Sequence, residues 1–397
     1  MIFNHQNIGS LLLKNRVIRS ATFEGMADEN GFASEKYVQF YSDLSKEKIG
    51  AIICGFSYIS PEGKAMQPGQ IGVDNEDKIP LLQKLTNEVH QNNGIIFMQI
   101  AHAGRQTLEK VIGQKTLSSS AEKSLYFNQK PKELTVNQIE EIVDKFGNAA
   151  LICKKAGFDG IQIHAAHGYL IHQFITPAVN KRKDKYGIDK KTKIGTRFLE
   201  EIVQDVRKKC GDDYPVLLKL SGSDDLLPKF TLNQYINLIR FVDTLSVDAI
   251  EISYGTMDFA LNIFRGDIPV NTILKHNPIF KTDNGFKKIL WKSFVLPFFR
   301  YKTKKFSALY NLPFAHIAKE NTAKPIICVG GFRRGTEIET ALNEGIDFVS
   351  LCRPFICEPD FIKKIEANIS YESKCTNCNI CAIMCDTNLA TRCYTKH

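Results

Sequence analysis

Two histidines three apart, with a tyrosine two residues further on, mark the segment IHAAHGYL at 163–170. Neutral imidazole N–H groups on His164 and His167 would grip a carbonyl or nitro oxygen and draw electrons from a conjugated C=C bond. The Tyr169 hydroxyl would then give a proton to the carbon beside that carbonyl. The pair also reads as packing histidines, or as part of a metal site lacking its third ligand. At the C-terminal end of a barrel strand the functional reading is favoured.

A second set of reactive groups lies at 375–397, where five of the eleven cysteines fall. Cys375-x₂-Cys378-x₂-Cys381-x₁₁-Cys393 offers four soft thiolates. Such a set suits a [4Fe–4S] cluster, with structural zinc as the alternative. Cys385 is a fifth thiol, so a register through Cys378, Cys381 and Cys385 stays open, as does a cysteine-lined cap without metal. The other six cysteines are scattered in apolar or small-residue segments and read as buried, inert thiols. Clustered rather than paired cysteines fit a reducing compartment better than a disulfide framework.

These groups need a scaffold. Short apolar runs recur at 16–21, 51–58, 94–100, 160–164, 216–220, 249–253, 325–329 and 348–351. Several are β-branched and apolar throughout, as strands buried on both faces are. Amphipathic helical patterns lie between them at 79–92, 135–156, 194–210, 232–245 and 336–343, the last stopped at Gly345. Eight strands alternating with helices predict an α/β fold, a (β/α)₈ TIM barrel. An open doubly wound sheet would want an early Gly-x-Gly-x-x-Gly turn, which is missing. The barrel reading spans 1–370, with a long insertion between strands 6 and 7 at about 254–324, and 371–397 is a Cys-rich metal- or cluster-binding tail. In the insertion, 287–305 mixes Lys and Arg with aromatics, and Pro297 should interrupt any long helix there. Extra helices on the barrel, a substrate lid, a partner surface or an amphipathic membrane contact would all produce that pattern, the first two foremost.

Composition narrows the class. With 397 residues, 43% hydrophobic and 24% charged, the chain is ordinary globular protein. Its net charge of +9 suits anionic cofactors or substrates, yet no nucleic-acid-reading motif accompanies it. No apolar run is long enough to span a bilayer, and the N-terminus lacks a signal-peptide layout, so a cytoplasmic protein is expected.

The segment IHAAHGYLIHQFITPAVNKRKDKYG resembles the signature of the Old Yellow Enzyme superfamily. More narrowly it resembles the bacterial branch of NADH:flavin oxidoreductases, 2,4-dienoyl-CoA reductases and trimethylamine dehydrogenases. NRVIRSATFEGMADENG, MQIAHAGRQ, VLLKLSGSDD, CVGGFRRG and SLCRPFICEPDF extend the likeness, in the same order, over nearly the whole chain. The resemblance implies FMN as cofactor, NADH or NADPH as hydride donor, and an unsaturated carbonyl, enoate, enoyl thioester or nitro compound as acceptor.

Roles follow from the same resemblance. Gln99 would bind the flavin pyrimidine edge, and Lys219 would set a positive charge near N1 and O2. Ala21 and Thr22 would lie along the ring. Gly330, Gly331 and Arg353 would take the phosphate. His164 and His167 would hold the substrate oxygen, with Tyr169 as proton donor. The position that tunes the flavin in relatives is Phe23 here, followed by Glu24, which would contact substrate or act as a surface carboxylate. Arg105, beside His102 in the HAGR turn, would organise its loop and could contact substrate; His172 would be structural. Relatives with a similar cysteine spacing carry [4Fe–4S] and a further FAD or nucleotide domain. This sequence ends at His397, so the expectation is a redox partner protein or none, with a homo-oligomer left open. An amine-dehydrogenase-like oxidation and a pure flavin/iron–sulfur electron carrier are the rival readings.

Overall fold

The computed structural model describes residues 1–395; the last two residues of the tail, Lys396 and His397, lie outside the described residues. All eight apolar runs form strands: β1 (Val17–Thr22), β2 (Ala51–Cys54), β3 (Ile96–Ala101), β4 (Gly160–Ala165), β5 (Val216–Ser221), β6 (Ala249–Ser253), β7 (Ile326–Val329) and β8 (Phe348–Leu351). Each pairs in parallel with the next, and β8 returns to β1 from Val349↔Val17 to Leu351↔Arg19. The sheet closes on itself and leaves no barrel edge unpaired. This is the expected (β/α)₈ barrel.

Eight helices wrap it: α1 (Glu35–Ser45), α2 (Ile79–Gln91), α3 (Val136–Lys155), α4 (Arg197–Cys210), α5 (Leu232–Asp243), α6 (Leu312–Lys319), α7 (Gly335–Asn343) and α8 (Phe361–Ala367). Thr135 and Thr231 start α3 and α5 with reciprocal caps, each paired with a glutamine three residues on. The apolar helix faces and the outward strand residues merge into one large core.

Inside the barrel the side chains change character with height. Ile18, Ala51, Ile53, Phe97, Leu217, Ala249, Ile327 and Phe348 form an apolar lower layer, plugged by Ile8 and Leu13 of the N-terminal hairpin. Side chains alternate along a strand, so the next inward residue is two positions on. Those residues are polar: Ser20, Gln99, Lys219, Glu251 and Ser350, joined by Gln162 of β4. The period-2 rule thus places a buried polar layer between the core and the rim.

The insertion holds short helices at Ala260–Phe264 and Val270–His276, then an unbroken helical stretch through Gly285–Leu290, Trp291–Val295 and Leu296–Lys302. Pro297 does not interrupt it. The turn before the proline widens to a π-helical one, which absorbs the missing N–H and the ring. Trp291, Val295, Leu296 and Phe299 pack it on Ile273, Leu274, Phe280 and Ile383.

The tail is tied down along its length. Glu358 accepts from the Ser373 hydroxyl at 2.9 Å and the Lys374 amide at 2.6 Å. Lys364, Tyr371 and these donors outweigh burial and hold the Glu358 carboxyl down to about 2. Further on, the Thr391 amide donates to the Glu24 carbonyl at 2.7 Å, so the chain crosses the top of the barrel to the β1 loop. Among the described residues no helix is long and apolar enough to cross a membrane.

Candidate active site

A cavity of about 560 Å³ opens at the C-terminal ends of the strands. Ala21, Thr22, Gln99, His164, His167, Tyr169, Lys219 and Arg353 all line it, although they come from β1, β3, β4, β5 and the segment after β8. The insertion adds Met257, Phe280 and Phe299, and the tail adds Ile383, Cys385 and Asp386.

The His164 ring centroid stands 4.9 Å from that of His167 and 4.9 Å from that of Tyr169, both edge-on. Phe56 stacks on Tyr169 at 5.3 Å. His167 reaches its place through a left-handed backbone, φ 59°, with its amide donating to the Ser221 hydroxyl at 3.1 Å. Burial, then the neighbouring Lys219, pushes the His164 imidazole well below its usual 6.5; burial and His164 do the same to His167. Both rings are therefore neutral at working pH. The Ala166 amide donates to His164 Nδ1 at 3.3 Å, which puts the proton on Nε2. His167 Nε2 lies 2.8 Å from the Ser253 hydroxyl, so a donating Ser253 puts the proton on Nδ1. Burial raises the Tyr169 phenol above 10, with Cys385 and Asp386 adding to the effect, so it keeps its proton.

Below the cavity floor the polar layer is fully wired. Lys219 Nζ lies 3.1 Å from Glu251 Oε2 and donates to the Ser20 hydroxyl at 2.9 Å. Glu251 also accepts from Ser20 at 2.6 Å, Ser350 at 2.6 Å and Gln162 at 2.8 Å. Gln99 donates to Gln162 at 2.6 Å. These bonds fix the side chains of Gln99 and Lys219 before anything binds.

FMN carries an uncharged ring that becomes anionic on reduction and a dianionic phosphate, so its site needs apolar walls and cations. The cavity presents largely apolar walls together with the Gln99 amide, the Lys219 ammonium and the Arg353 guanidinium, a set that fits such a ring and phosphate. The double glycine is placed differently from expectation. Gly330 and Gly331 have φ of 127° and 88°, which favours glycine, but they are not in the cavity lining. A Cβ at Gly330 would come within 2.6 Å of the Tyr310 ring, and one at Gly331 within 2.5 Å of the Leu309 amide nitrogen. Here the glycines admit the segment before α6. Arg353 itself donates to the Arg265 carbonyl and to Asn379, both at 2.9 Å.

Two residues expected at the substrate lie behind the cavity wall. Glu24 is buried, takes a hydrogen bond from the Tyr41 hydroxyl and another from the Gly55 amide at 2.7 Å, and faces Arg19 at 3.8 Å. Arg105 donates to Asp258 at 2.9 Å and to the Glu122 carbonyl at 3.0 Å. It fixes a carboxylate that lines the cavity and holds the loop rather than reaching a substrate. His102, in the same turn, is pushed down to about 4 by burial and accepts from the Gly104 amide. His172 accepts from the Gly168 amide at 2.9 Å, a structural role.

Burial lifts the Glu24 carboxyl from 4.5 to about 7, against the pull of Arg19 and the Gly55 amide. A carboxyl raised on folding favours the folded state while protonated. The contribution of this one carboxyl to stability is therefore full below about pH 4.5 and falls as pH rises to about 7. Glu24→Gln should flatten that fall, which thermal melts at pH 5 and pH 8 would show; equal pH dependence in both proteins would refute the assignment.

The tail thiols converge around one member. Burial and the neighbouring thiols of Cys375, Cys378 and Cys393 push Cys381 up to about 12, against Arg353. Cys357 joins them: burial and Cys393 push it up to about 12, although its sequence position suggested an inert core thiol. Cys385 instead lines the cavity and hydrogen-bonds the Ala382 carbonyl. Among the described residues no group of three or more His, Cys, Asp or Glu side chains is arranged to hold a metal ion.

Sequence reading missed Asp386, which accepts from Gln67 at 3.0 Å and Asn277 at 2.9 Å at the cavity wall. It also missed Glu251 and Gln162, though an isolated polar residue in an apolar strand was a usable signal.

Known proteins resemble this chain in sequence and in fold. The profile of the NADH:flavin oxidoreductase / NADH oxidase family matches residues 1–280. An NADPH dehydrogenase of Clostridium acetobutylicum is 33% identical over 281 residues, 69% of this chain and 80% of its own. An NADH oxidase of Thermoanaerobacter brockii is 29% identical over 96% of this chain and 53% of its own. The solved 2-naphthoyl-CoA reductase, in complex with 2-naphthoyl-CoA, superposes with a TM-score of 0.79 at 25% identity, over 97% of this chain and 55% of that one. The chain thus spans about half the length of the latter two. On the strength of the profile match and the dehydrogenase likeness, the chain belongs to the NADH:flavin oxidoreductase / NADH oxidase family and is an oxidoreductase.

Proposed function

We propose that the chain is an FMN-dependent ene-reductase, taking hydride from NADH or NADPH and delivering it to an activated C=C bond of an unsaturated carbonyl, enoate or enoyl thioester. The observation that carries this reading is the convergence of His164, His167 and Tyr169 on the cavity that also holds Gln99 and Lys219. FMN, when bound there, supplies reversible hydride chemistry between the nicotinamide and the unsaturated carbon. His164 and His167 hold the substrate oxygen with neutral N–H donors, polarising the bond without adding a charge. Tyr169 moves its hydroxyl proton to the α-carbon once the β-carbon has taken hydride. Lys219, braced by Glu251 and Ser20, offers positive charge at the ring edge, and Gln99 orients that edge. Arg353 would hold the phosphate.

The test is an anaerobic half-reaction experiment on the chain supplied with FMN. NADH or NADPH should bleach the yellow colour, and cyclohexenone or cinnamaldehyde should restore it with one equivalent of saturated product. Protein that stays colourless with FMN, or reduced protein indifferent to both acceptors, would overturn the proposal.

The cysteine tail supports a second reading, a [4Fe–4S] cluster on Cys375, Cys378, Cys381 and Cys393, with zinc as the alternative and a redox partner protein as electron acceptor. The Cys375-x₂-Cys378-x₂-Cys381-x₁₁-Cys393 spacing is what favours it. Anaerobic protein should then contain iron and acid-labile sulfide in equal amounts, and Cys381→Ser should lose both. Zinc without sulfide identifies the alternative, and neither metal ends this reading.

A further inference from the structure

The helical stretch at 285–302 covers the cavity with one face and leaves the other uncovered. Phe286, Leu290, Phe294 and Phe298 recur every four residues, the spacing that stacks side chains on one side of a helix. Phe286 is 69% exposed, Phe294 73% and Tyr301, one turn beyond Phe298, 83%. Scattered exposed apolar residues need no explanation, but a continuous aromatic stripe does. Its flanks are uniformly basic: residues 285–305 contain Lys287, Lys288, Lys292, Arg300, Lys302, Lys304 and Lys305 and no Asp or Glu. Of these cations only Lys304 makes an ion pair among the described residues, with Asp225 at 3.4 Å.

We propose that this face docks the enzyme on an anionic lipid bilayer surface, with the aromatic stripe in the headgroup region and the lysines on lipid phosphates. The charge decides the occupant. A protein partner for an aromatic stripe needs no particular sign of charge around it, whereas a stripe bordered only by cations, all but Lys304 of them unpaired among the described residues, matches a surface of uniform negative charge. The same cations exclude insertion across the bilayer, since five of them fall within the helical stretch itself. Lys302 lies over the Phe298 and Tyr301 rings at 5.9 and 5.4 Å, holding a cation at the edge of the stripe. Phe298, Phe299 and Lys302 also line the cavity. Docking would therefore bring its mouth to the lipid surface, where apolar substrates concentrate. The inference stands on the surface alone and does not depend on the substrate proposed above.

Vesicle co-sedimentation of the full chain tests it. Wild type should pellet with vesicles of phosphatidylcholine and phosphatidylglycerol at least about tenfold more strongly than with phosphatidylcholine alone, less so as salt is raised. Phe286→Ser/Phe294→Ser, which lie outside the cavity lining, should lose most of that binding. Lys287→Glu/Lys292→Glu should lose the preference for phosphatidylglycerol. Both variants should keep the wild-type melting temperature and wild-type turnover of soluble NADH substrates. Wild type that stays in solution with both vesicles overturns the proposal, as does a folded aromatic variant that still pellets. A wild-type dimer that the aromatic variant dissociates, with no vesicle binding, overturns it in favour of a contact between copies.

Discussion

Tyr169→Phe should slow reduction of cyclohexenone by roughly 10²–10⁴-fold while leaving reduction of the protein by NADH near the wild-type rate. The substitution is a narrow one. Phe keeps the ring that stacks on Phe56 at 5.3 Å and meets His164 edge-on at 4.9 Å, so the wall of the cavity is preserved. Only the hydroxyl goes, and that hydroxyl has no hydrogen-bond partner among the described residues. No packing or network term is therefore lost with it, and a fall in rate reports the proton. Burial holds the phenol above 10, with Cys385 and Asp386 adding, so the wild-type rate should not fall on an alkaline limb until well above neutral pH. The half-reactions separate the possibilities cleanly, because the nicotinamide step needs no proton on carbon. A Tyr169→Phe enzyme that reduces the enone at full speed would show that solvent or another group protonates the product.

The barrel was legible because its strands are buried on both faces, which leaves unbroken apolar runs that helices of the same length do not need. The His164, His167 and Tyr169 set was legible because it follows such a run directly. Glu24 shows where that reasoning fails. The β1–β2 register shifts between Arg19 and Thr22, so alternation cannot be carried past the irregularity, and Phe23 lines the cavity while Glu24 turns toward Tyr41. Pro297 misled for a related reason: a widened turn satisfies the backbone where regular geometry could not. Gln67, Asn277 and Asp386 meet at the cavity wall from three loops, and no local spacing connects them. Glu251 was readable in principle. A lone carboxylate in AIEIS must find a cation or stay neutral, and the inward position beside it on β5 is Lys219.

That pair sets the second large expectation: Lys219→Met should cost about 3–5 kcal/mol of stability and most of the affinity for FMN. Burial alone would raise the Glu251 carboxyl, but the Lys219 ammonium and the Ser20, Ser350 and Gln162 donors more than offset it and hold Glu251 below its usual value. Removing the ammonium leaves a fully buried carboxylate with neutral donors only. Either it stays charged at that cost or it takes up a proton, and both weaken the folded state near neutral pH. Glu251→Gln reverses the problem, leaving Lys219 buried against Ser20 with no carboxylate, and should destabilise comparably. The double variant Lys219→Met/Glu251→Gln should be more stable than either single one, since no unpaired charge remains. The pH dependence has a definite sign. A carboxyl depressed on folding stabilises above its unfolded value, about 4.5, and that contribution is lost as pH falls further. Wild type should therefore lose stability on acidification below about pH 4.5 more steeply than the double variant does. Urea titrations across that range, with FMN retention on gel filtration, check both halves. Additive single-variant effects would mean that Glu251 does not brace Lys219, and a Lys219→Met protein that holds FMN like wild type would take the ring edge away from that lysine.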